Sequence, residues 1–584
     1  MISLAFFLGL LGLIPALSGA LFLLCQKVLP RAVVLVWGAI VWLICLAIVV
    51  LLIRLLSFGD TIPVTAFAPQ GWARWLQLSY QVDAFNVFSA LVIGVLASAL
   101  VALLLWIEPA RDGLEQHTAQ PGTLPRHRRI WQGGVLLIGL GAIFTLIFAN
   151  SAFWLALGWG VLGLCAFALY TQGQARRQAL ALLATPCLSA LVLYMALLPV
   201  ISASPDQRLD LLSGLEREPL WAAILMLIAL LAPGVVLLVQ QATQGEASAP
   251  PASMSQSAAL VLMAAPATFT AFARLALLVA GPGAVLPGTG STGWLAFSLV
   301  TVWGCALLAL WAAFLAFRLA QRASLPLFLS VQLVSWMLAG VVITGAAAIN
   351  GALLLKLLRL LALGALLLAG RRKPAQPVLG ICWWLAALAL GALPFFPTFS
   401  ATWLITGGAI AAGPAWVAGA GVGWLALLLA TLAIFRVGGA EPAEGAVESA
   451  SGATSPAEPG PSFLLFVLAL LTVVLGIAPE IAVSLFTNAA AAALPVISSP
   501  LAGVQATPVG LLTPFGSWLP GIFWILLVAL ALVGLLATRR ARQAAAPPPL
   551  FLGGEAEPGA DDAETGTDLT STSEQERETF SAHP

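Results

Sequence analysis

Charge is scarce in this chain. Only 8% of its 584 residues are charged while 61% are hydrophobic, a balance that excludes a soluble multidomain protein and points to one that crosses a membrane many times. Histidine is scarcer still. His117 and His127 fall in one polar loop and His583 in the tail, so a haem or zinc at membrane depth would find no imidazole ligand. Six cysteines (Cys25, Cys45, Cys165, Cys187, Cys305, Cys382) are scattered through apolar segments without paired spacing. They read as small buried hydrophobes rather than as disulfide or metal ligands. No P-loop, Gly-rich dinucleotide fingerprint or Cys ligand set occurs, so neither ATP hydrolysis nor redox chemistry is expected of this chain, and no cofactor or metal. A net charge of +1 offers no electrostatic footprint for nucleic acid.

What fills the chain instead is apolar runs of about 20 residues, the length that spans a bilayer. About fifteen are predicted, at residues 2–26, 32–57, 83–107, 131–150, 151–171, 179–203, 220–240, 257–281, 293–317, 325–345, 350–370, 377–406, 414–435, 462–493 and 518–538. The first has no basic stretch before it and is too long for a signal peptide core, so it is expected to remain as a span. With the N-terminus outside, Lys27, Arg31, Arg111, Arg126, Arg128, Arg129, Arg176, Arg177, Arg318, Arg322, the Arg371, Arg372 and Lys373 cluster, Arg436, Arg539, Arg540 and Arg542 fall inside. The opposite connections hold Asp60, Asp206, Asp210, Glu216 and Glu218. This positive excess favours a multi-pass protein of a bacterial inner membrane with a cytoplasmic C-terminal tail.

The organisation expected is three N-terminal spans and a cytoplasmic loop (1–130), a five-span unit (131–281), a second five-span unit (293–436), a flexible loop (437–461), C-terminal spans (462–538) and a tail (539–584). The loop and tail are rich in Pro, Gly, Ser and Glu and are predicted disordered. The turn-rich stretch 495–517 is expected along or within the outer interface.

Two spans carry internal prolines. The seventh contains Pro233 and Gly234, the twelfth Pro394 and Pro397; a central proline frees a carbonyl, and broken spans of transporters line ion or solute paths, although a tolerated kink is the alternative. Five spans apart is an odd step, so the two would run in opposite directions, as in an inverted repeat. The fifth span raises a further question, because FANSAFWLALGWGVLGLCAFALYTQ places Gly160 at mid-helix, where glycine costs about 1 kcal/mol relative to alanine. Either close packing or the loss of a former side chain must account for it.

Four stretches then resemble one family. They are QVDAFNVFSALVIGVLASALV at 81–101, GWGVLGLCAFAL at 158–169, PLFLSVQLVSWMLAGV at 326–341 and LALGALPFFPTFSATWLI at 388–405. In order and spacing they resemble the Asp-led third helix, the Gly-Trp-Glu fifth helix, the Tyr-Ser-Ser tenth helix and the Gly-x-Pro-Pro broken twelfth helix of the antiporter-like subunits of respiratory complex I, of multisubunit cation/proton antiporters and of membrane-bound hydrogenases. The resemblance implies an all-α polytopic fold with two inverted five-helix repeats and broken seventh and twelfth helices. It implies a membrane-arm subunit in a complex I-like or hydrogenase-like assembly, with other membrane subunits and the lipid bilayer as partners and the redox modules on other chains.

The resemblance also identifies what has been lost. The family's fifth-helix Glu falls on Gly160, its seventh-helix Lys at Pro233, its eighth-helix Lys or His near Pro266, its eleventh-helix Lys within Ala362 to Gly364, and its twelfth-helix Lys or Glu at Ala401. Arg274, Lys356 and Arg359 remain as proton-path candidates. Lys356 and Arg359 lie one turn apart on one helical face, and each costs at least about 2.5–3.5 kcal/mol in hydrocarbon. They read either as a remnant relay or as groups that snorkel or meet a neighbouring subunit's acid; Arg274 suits an interface anchor. Asn150, Thr185, Ser189, Gln332, Ser335 and Thr402 read as helix–helix hydrogen-bonding groups. A proton-translocating subunit, a structural spacer and a stand-alone transporter all remain open.

The charge distribution makes a direct prediction. A reporter fused after residue 545 should be cytoplasmic and one inserted in 204–219 external; an external reading at 545 would remove a span and reverse the C-terminal helices.

Overall fold

The computed structural model describes residues 4–25, 31–55, 62–67, 76–82, 86–87, 89–94, 125–171, 176–203, 207–209, 220–244, 269, 272–273, 275–276, 292–319, 324–343, 345–369, 377–394, 396–439, 460–479, 505–507, 510–513 and 516–544. The chain is mostly helical and forms a multi-pass membrane protein. Among the described residues nine helices are long and apolar enough to cross a membrane. Two helices open the chain, α1 (Leu4–Cys25) and α2 (Arg31–Leu55). After a hairpin come α3 (Pro125–Phe148), α4 (Ala152–Tyr170), α5 (Arg176–Ala196), the short α6 (Leu198–Ala203) and α7 (Leu220–Gln244). A second run comprises α8 (Thr292–Leu319), α9 (Leu325–Ile343), α10 (Ala346–Ala369), α11 (Pro377–Ala389), α12 (Pro397–Ala412) and α13 (Pro414–Gly439). Last are α14 (Gly460–Ile477) and α15 (Pro520–Ala544). The expected spans at 83–107 and 257–281 lie mostly outside the described residues, as do Pro266 and Arg274.

Two small sheets depart from the all-helical expectation. β1 (Ile62–Phe67) pairs antiparallel with β2 (Leu78–Val82), and β3 (Gln505–Thr507), β4 (Gly510–Thr513) and β5 (Gly516–Trp518) form a meander. Both lie in connections rich in β-branched or aromatic residues, where no apolar run competes for helix. The first sheet ties connections together. Asn150 N–H donates to Ser79 O, Ala152 N–H to Gln207 O and Leu209 N–H to Asn150 O, each at 2.9 Å, so residues 76–82, 149–151 and 207–209 share one end of the bundle. Arg436 Nη1 reaches Phe317 O at 2.9 Å and joins the last turns of α8 and α13.

The break expected at Pro233 and Gly234 is corrected by the structure, because α7 runs continuously from Leu220 to Gln244 with Pro233 inside. Proline removes the amide that would bond the carbonyl four residues back, which is Ala229 O. That oxygen instead accepts the Ser189 hydroxyl of α5 at 2.8 Å, so the helix continues past the proline with this acceptor satisfied. The twelfth expected span does divide, into α11 and α12. Pro397 sits at the first position of α12, where its missing amide is no loss. Ala392 N–H in the gap donates to Thr431 Oγ1 at 2.8 Å, and the Thr398 hydroxyl bonds Ala389 O.

The chain divides into two compact units, Met1–Leu526 and Leu527–Pro584. The described part of the second unit is the remainder of α15, with Val528, Leu530, Leu532, Val533 and Leu536 exposed. Within the first, α9 and α10 are the most enclosed helices, 94% and 100% buried across their apolar windows. α1 and α3 touch backbone to backbone: a Cβ on Gly141 would lie 2.5 Å from Gly12 O, and one on Gly19 2.4 Å from Gly134 O. Small residues at such crossings let helices approach in a bilayer. Gly133, by contrast, faces nothing within 4 Å. Gly141→Ala should therefore lower the thermal unfolding temperature of the detergent-solubilised chain, at a penalty of about 1–3 kcal/mol, whereas the same change at Gly133 should be neutral or favourable by up to about 1 kcal/mol. Equal effects at the two positions would contradict the contact.

Candidate functional site

The site begins with two cations on one helix. Lys356 and Arg359 are three residues apart on α10, which puts them on one face, and they are only 3% and 4% exposed. The burial of α10 along its whole apolar window places both side chains in the bundle interior rather than at a lipid-facing edge. Arg359 Nη2 donates to Ser330 Oγ of α9 at 2.6 Å, with Nε at 3.3 Å. The Lys356 ammonium stands 5.7 Å from the centre of the Phe269 ring, within cation–π range.

Beside Arg359 lies a cavity of about 70 Å³, walled by α4, α5, α7, α9 and α10; Trp159, Pro186, Pro233, Phe269, Ser330 and Arg359 line it. Its wall is almost entirely apolar apart from the guanidinium and the serine. Pro233 and Gly234 line the same cavity as Arg359.

The opposite wall is a hydrogen-bonded clamp. Trp159 Nε1 donates to Ser189 Oγ at 2.8 Å, and the Ser189 hydroxyl passes its own proton to Ala229 O at 2.8 Å. One serine therefore joins α4, α5 and α7 and supplies the donor that Pro233 withholds. Close packing reinforces the clamp. A Cβ on Gly163 would meet Pro186 Cβ at 2.5 Å, and one on Gly160 would meet Ala190 Cβ at 3.1 Å. Gly160 accordingly fits close helix packing, and a side chain there would press on Ala190 of α5.

The remaining predicted positions are placed as follows. Ala401 is fully buried near the start of α12, and a Cβ on Gly351 of α10 would lie 2.6 Å from Ala401 O, so the two helices touch at that level. Pro394 lies in the turn between α11 and α12, and Pro397 opens α12. Pro266 and Arg274 lie outside the described residues. The structure brings Pro233, Gly234 and Arg359 together around one cavity, with Lys356 one turn away. It keeps Ala401 and the α11–α12 break apart from that cavity's lining.

Two hydrogen-bonding residues of the site carry no distinguishing mark of their own in the sequence: Ser330, inside the stretch 326–341, and Ser189, one of several hydroxyls in apolar spans. The signal for Ser189 was available: a mid-helix proline creates a carbonyl without a donor, so a hydroxyl in a neighbouring span is the natural partner. No metal-binding group of His, Cys, Asp or Glu occurs among the described residues.

The clamp can be tested by its pairing. Ser189→Ala leaves Ala229 O and Trp159 Nε1 buried without this donor and acceptor and should cost about 1–3 kcal/mol. Pro233→Ala restores the helical amide to Ala229 O, so the serine change should cost at least about 0.5 kcal/mol less in that background. Additive effects in unfolding measurements on the detergent-solubilised chain would remove the clamp.

No family model and no curated protein matches the sequence. Solved structures do match the fold. A chain of the membrane-bound sulfane sulfur reductase, an archaeal respiratory membrane complex, matches with a TM-score of 0.65 at 17% identity, over 95% of this chain and 86% of that one. A chain of respiratory complex I from Thermus thermophilus matches with a TM-score of 0.61 at 19% identity, over 84% of this chain and 100% of that one. A chain of the Mrp complex from Dietzia sp. DQ12-45-1b matches with a TM-score of 0.56 at 16% identity, over 85% and 100% of the two chains. At these identities the likeness is one of fold: the chain has the antiporter-like fold that its four motif stretches resemble.

Proposed function

We propose that this chain is a membrane-arm subunit of a complex I-like assembly whose first-half ion path is closed, so that it serves as a spacer between redox-coupled neighbours rather than as an autonomous pump. The observation that carries this reading is the Trp159, Ser189 and Ala229 clamp, which fills with fixed hydrogen bonds the place where the family has its Glu and Lys. None of the three groups changes protonation state in ordinary use, whereas directional pumping requires groups that do. Gly160, Pro233 and Ala401 supply no proton carrier, and Pro266 continues the same pattern in the sequence. The fold is shared with chains of a respiratory complex, a sulfane sulfur reductase and an Mrp complex, which supports membrane subunits as partners.

The wider architecture follows the same reading. The chain would have about fifteen spans, with inverted five-helix repeats at 131–281 and 293–436, the N-terminus outside and the tail in the cytoplasm of a bacterial cell. The proline within α7 and the divided α11–α12 element support the repeat, because each falls at the corresponding place of its half. One observation favours a second reading, a remnant relay in the other half: Lys356 and Arg359 are buried together beside a hydroxyl and an aromatic ring. There Lys356 would exchange the proton while Arg359, which stays charged, would fix the local field; Arg274 would serve as an interface anchor.

Lys356→Met decides between them, since it deletes the charge while keeping length and apolarity. In vesicles containing the assembled complex, protons translocated per electron pair should be unchanged from wild type. A lowered ratio with unchanged electron transfer would overturn the spacer in favour of the relay.

A further inference from the structure

We propose that the lipid-facing seam of α8 and α13 is a binding site for one anionic phospholipid, with its phosphate on Arg318 and Arg436 and its acyl chains along the two helices. The helices pack side by side. Trp303 Nε1 donates to Ala415 O at 3.2 Å and Arg436 Nη1 to Phe317 O at 2.9 Å, so residue numbers rise together along the pair and both helices end at one level. Each is half buried across its apolar window, which leaves the other half for lipid. On α8 the exposed Leu307, Trp311 and Phe314 recur at helical spacing and lead to Arg318, exposed in the last turn. On α13 the exposed Leu425, Leu428 and Leu432 lead in the same way to Arg436, exposed in its last turn. Two apolar stripes therefore end in two guanidinium groups at the same end of the pair.

Length sets the class of ligand. From Leu307 to Arg318, and from Leu425 to Arg436, the rise is about 16 Å, close to half of the roughly 30 Å hydrocarbon core and so to the depth of one leaflet. Charge sets the headgroup. An arginine that only sought water would extend away from its helix, whereas Arg436 is held back, with one N–H on Phe317 O and the guanidinium 5.1 Å from the centre of the Phe317 ring. The tie keeps its charge beside the residue that precedes Arg318, at two helix C-termini whose partial negative charge favours cations. Guanidinium is planar and weakly hydrated and pairs its N–H groups with phosphate oxygens. The exposed Phe435, packed on Trp384 with ring centres 5.6 Å apart, adds an aromatic group at the depth where headgroups meet acyl chains. The site does not depend on whether ions cross the membrane.

The test places the full-length chain in nanodiscs of equal parts phosphatidylglycerol and phosphatidylcholine, one or the other carrying a photoactivatable diazirine in its acyl chain, and maps the crosslinks by mass spectrometry. Within 307–318 and 425–436 the phosphatidylglycerol analogue should label wild type in clear excess over the phosphatidylcholine analogue. A basic residue near the membrane surface is worth about a factor of five for an anionic lipid, so Arg318→Gln should cut that ratio about fivefold and the double change with Arg436→Gln should bring it to unity. Arg318→Gln decides the matter if Arg436→Gln fails to fold, since Arg318 lies outside the tie to Phe317. Inorganic phosphate added at constant ionic strength should leave the ratio unchanged. A ratio of one in folded wild type, a ratio unmoved by Arg318→Gln, or loss of the preference on adding inorganic phosphate, which would mark a site for the free ion, would overturn the proposal.

Discussion

In hydrocarbon a backbone carbonyl without a donor costs several kcal/mol, because no water is there to substitute. The bond from the Ser189 hydroxyl to Ala229 O answers that constraint, and the middle of the structure is arranged around it. Pro233 can stay inside α7 only because α5 presents a hydroxyl at that level. α5 can present it only because Gly163 lets α4 approach Pro186. Trp159 then finds its own acceptor in the same serine, which fixes the large indole as a wall of the cavity. The divided α11–α12 element obeys the same constraint by another route, with Thr398 and Thr431 hydroxyls bonding the backbone of the gap.

This constraint distinguishes the surroundings of Pro233 from those of the cation pair. Around Pro233, Trp159 and Ser189 are committed to one another and to Ala229 O, and Gly160 and Gly163 are packed against α5. A charge placed among them would have to break the clamp before it found water. In the second half the proline break sits apart from the cation pair, so Lys356 and Arg359 could persist on α10 without conflicting with backbone satisfaction. Their burial in the most enclosed helix sets protein, not lipid, as their surroundings.

Much of the fold was legible because hydrophobic length is a strong signal. The nine long apolar helices lie where uninterrupted runs of about 20 residues predicted spans, and the Pro394 and Pro397 pair marked the division between α11 and α12. The site was legible only by kind. Lys356 and Arg359 stand out in a sequence with so few charges, and their helical spacing gives a shared face, but nothing in the spacing names Ser330 on α9 as the partner. Pro233 misled for a definite reason. Proline specifies which bond is lost within its own helix, while the replacement donor lies 40 residues away in α5, and that distance in sequence carries no periodic mark. The sheets were missed because their strands are short and lie where the apolar runs stop.

Gly160 joins these arguments. A glycine at mid-helix could record either a deleted side chain or a demand for close packing, and the structure makes the two inseparable. A Cβ there would lie 3.1 Å from Ala190 Cβ, so α4 and α5 pack closely at this level, and the same approach brings Trp159 to Ser189. A carboxylate at 160 would also need a cation within reach, and the position opposite is a proline whose carbonyl partner is already bonded. The site is consistent as it stands: the close approach of α4 and α5 completes the clamp, and the clamp supplies the donor that Pro233 withholds.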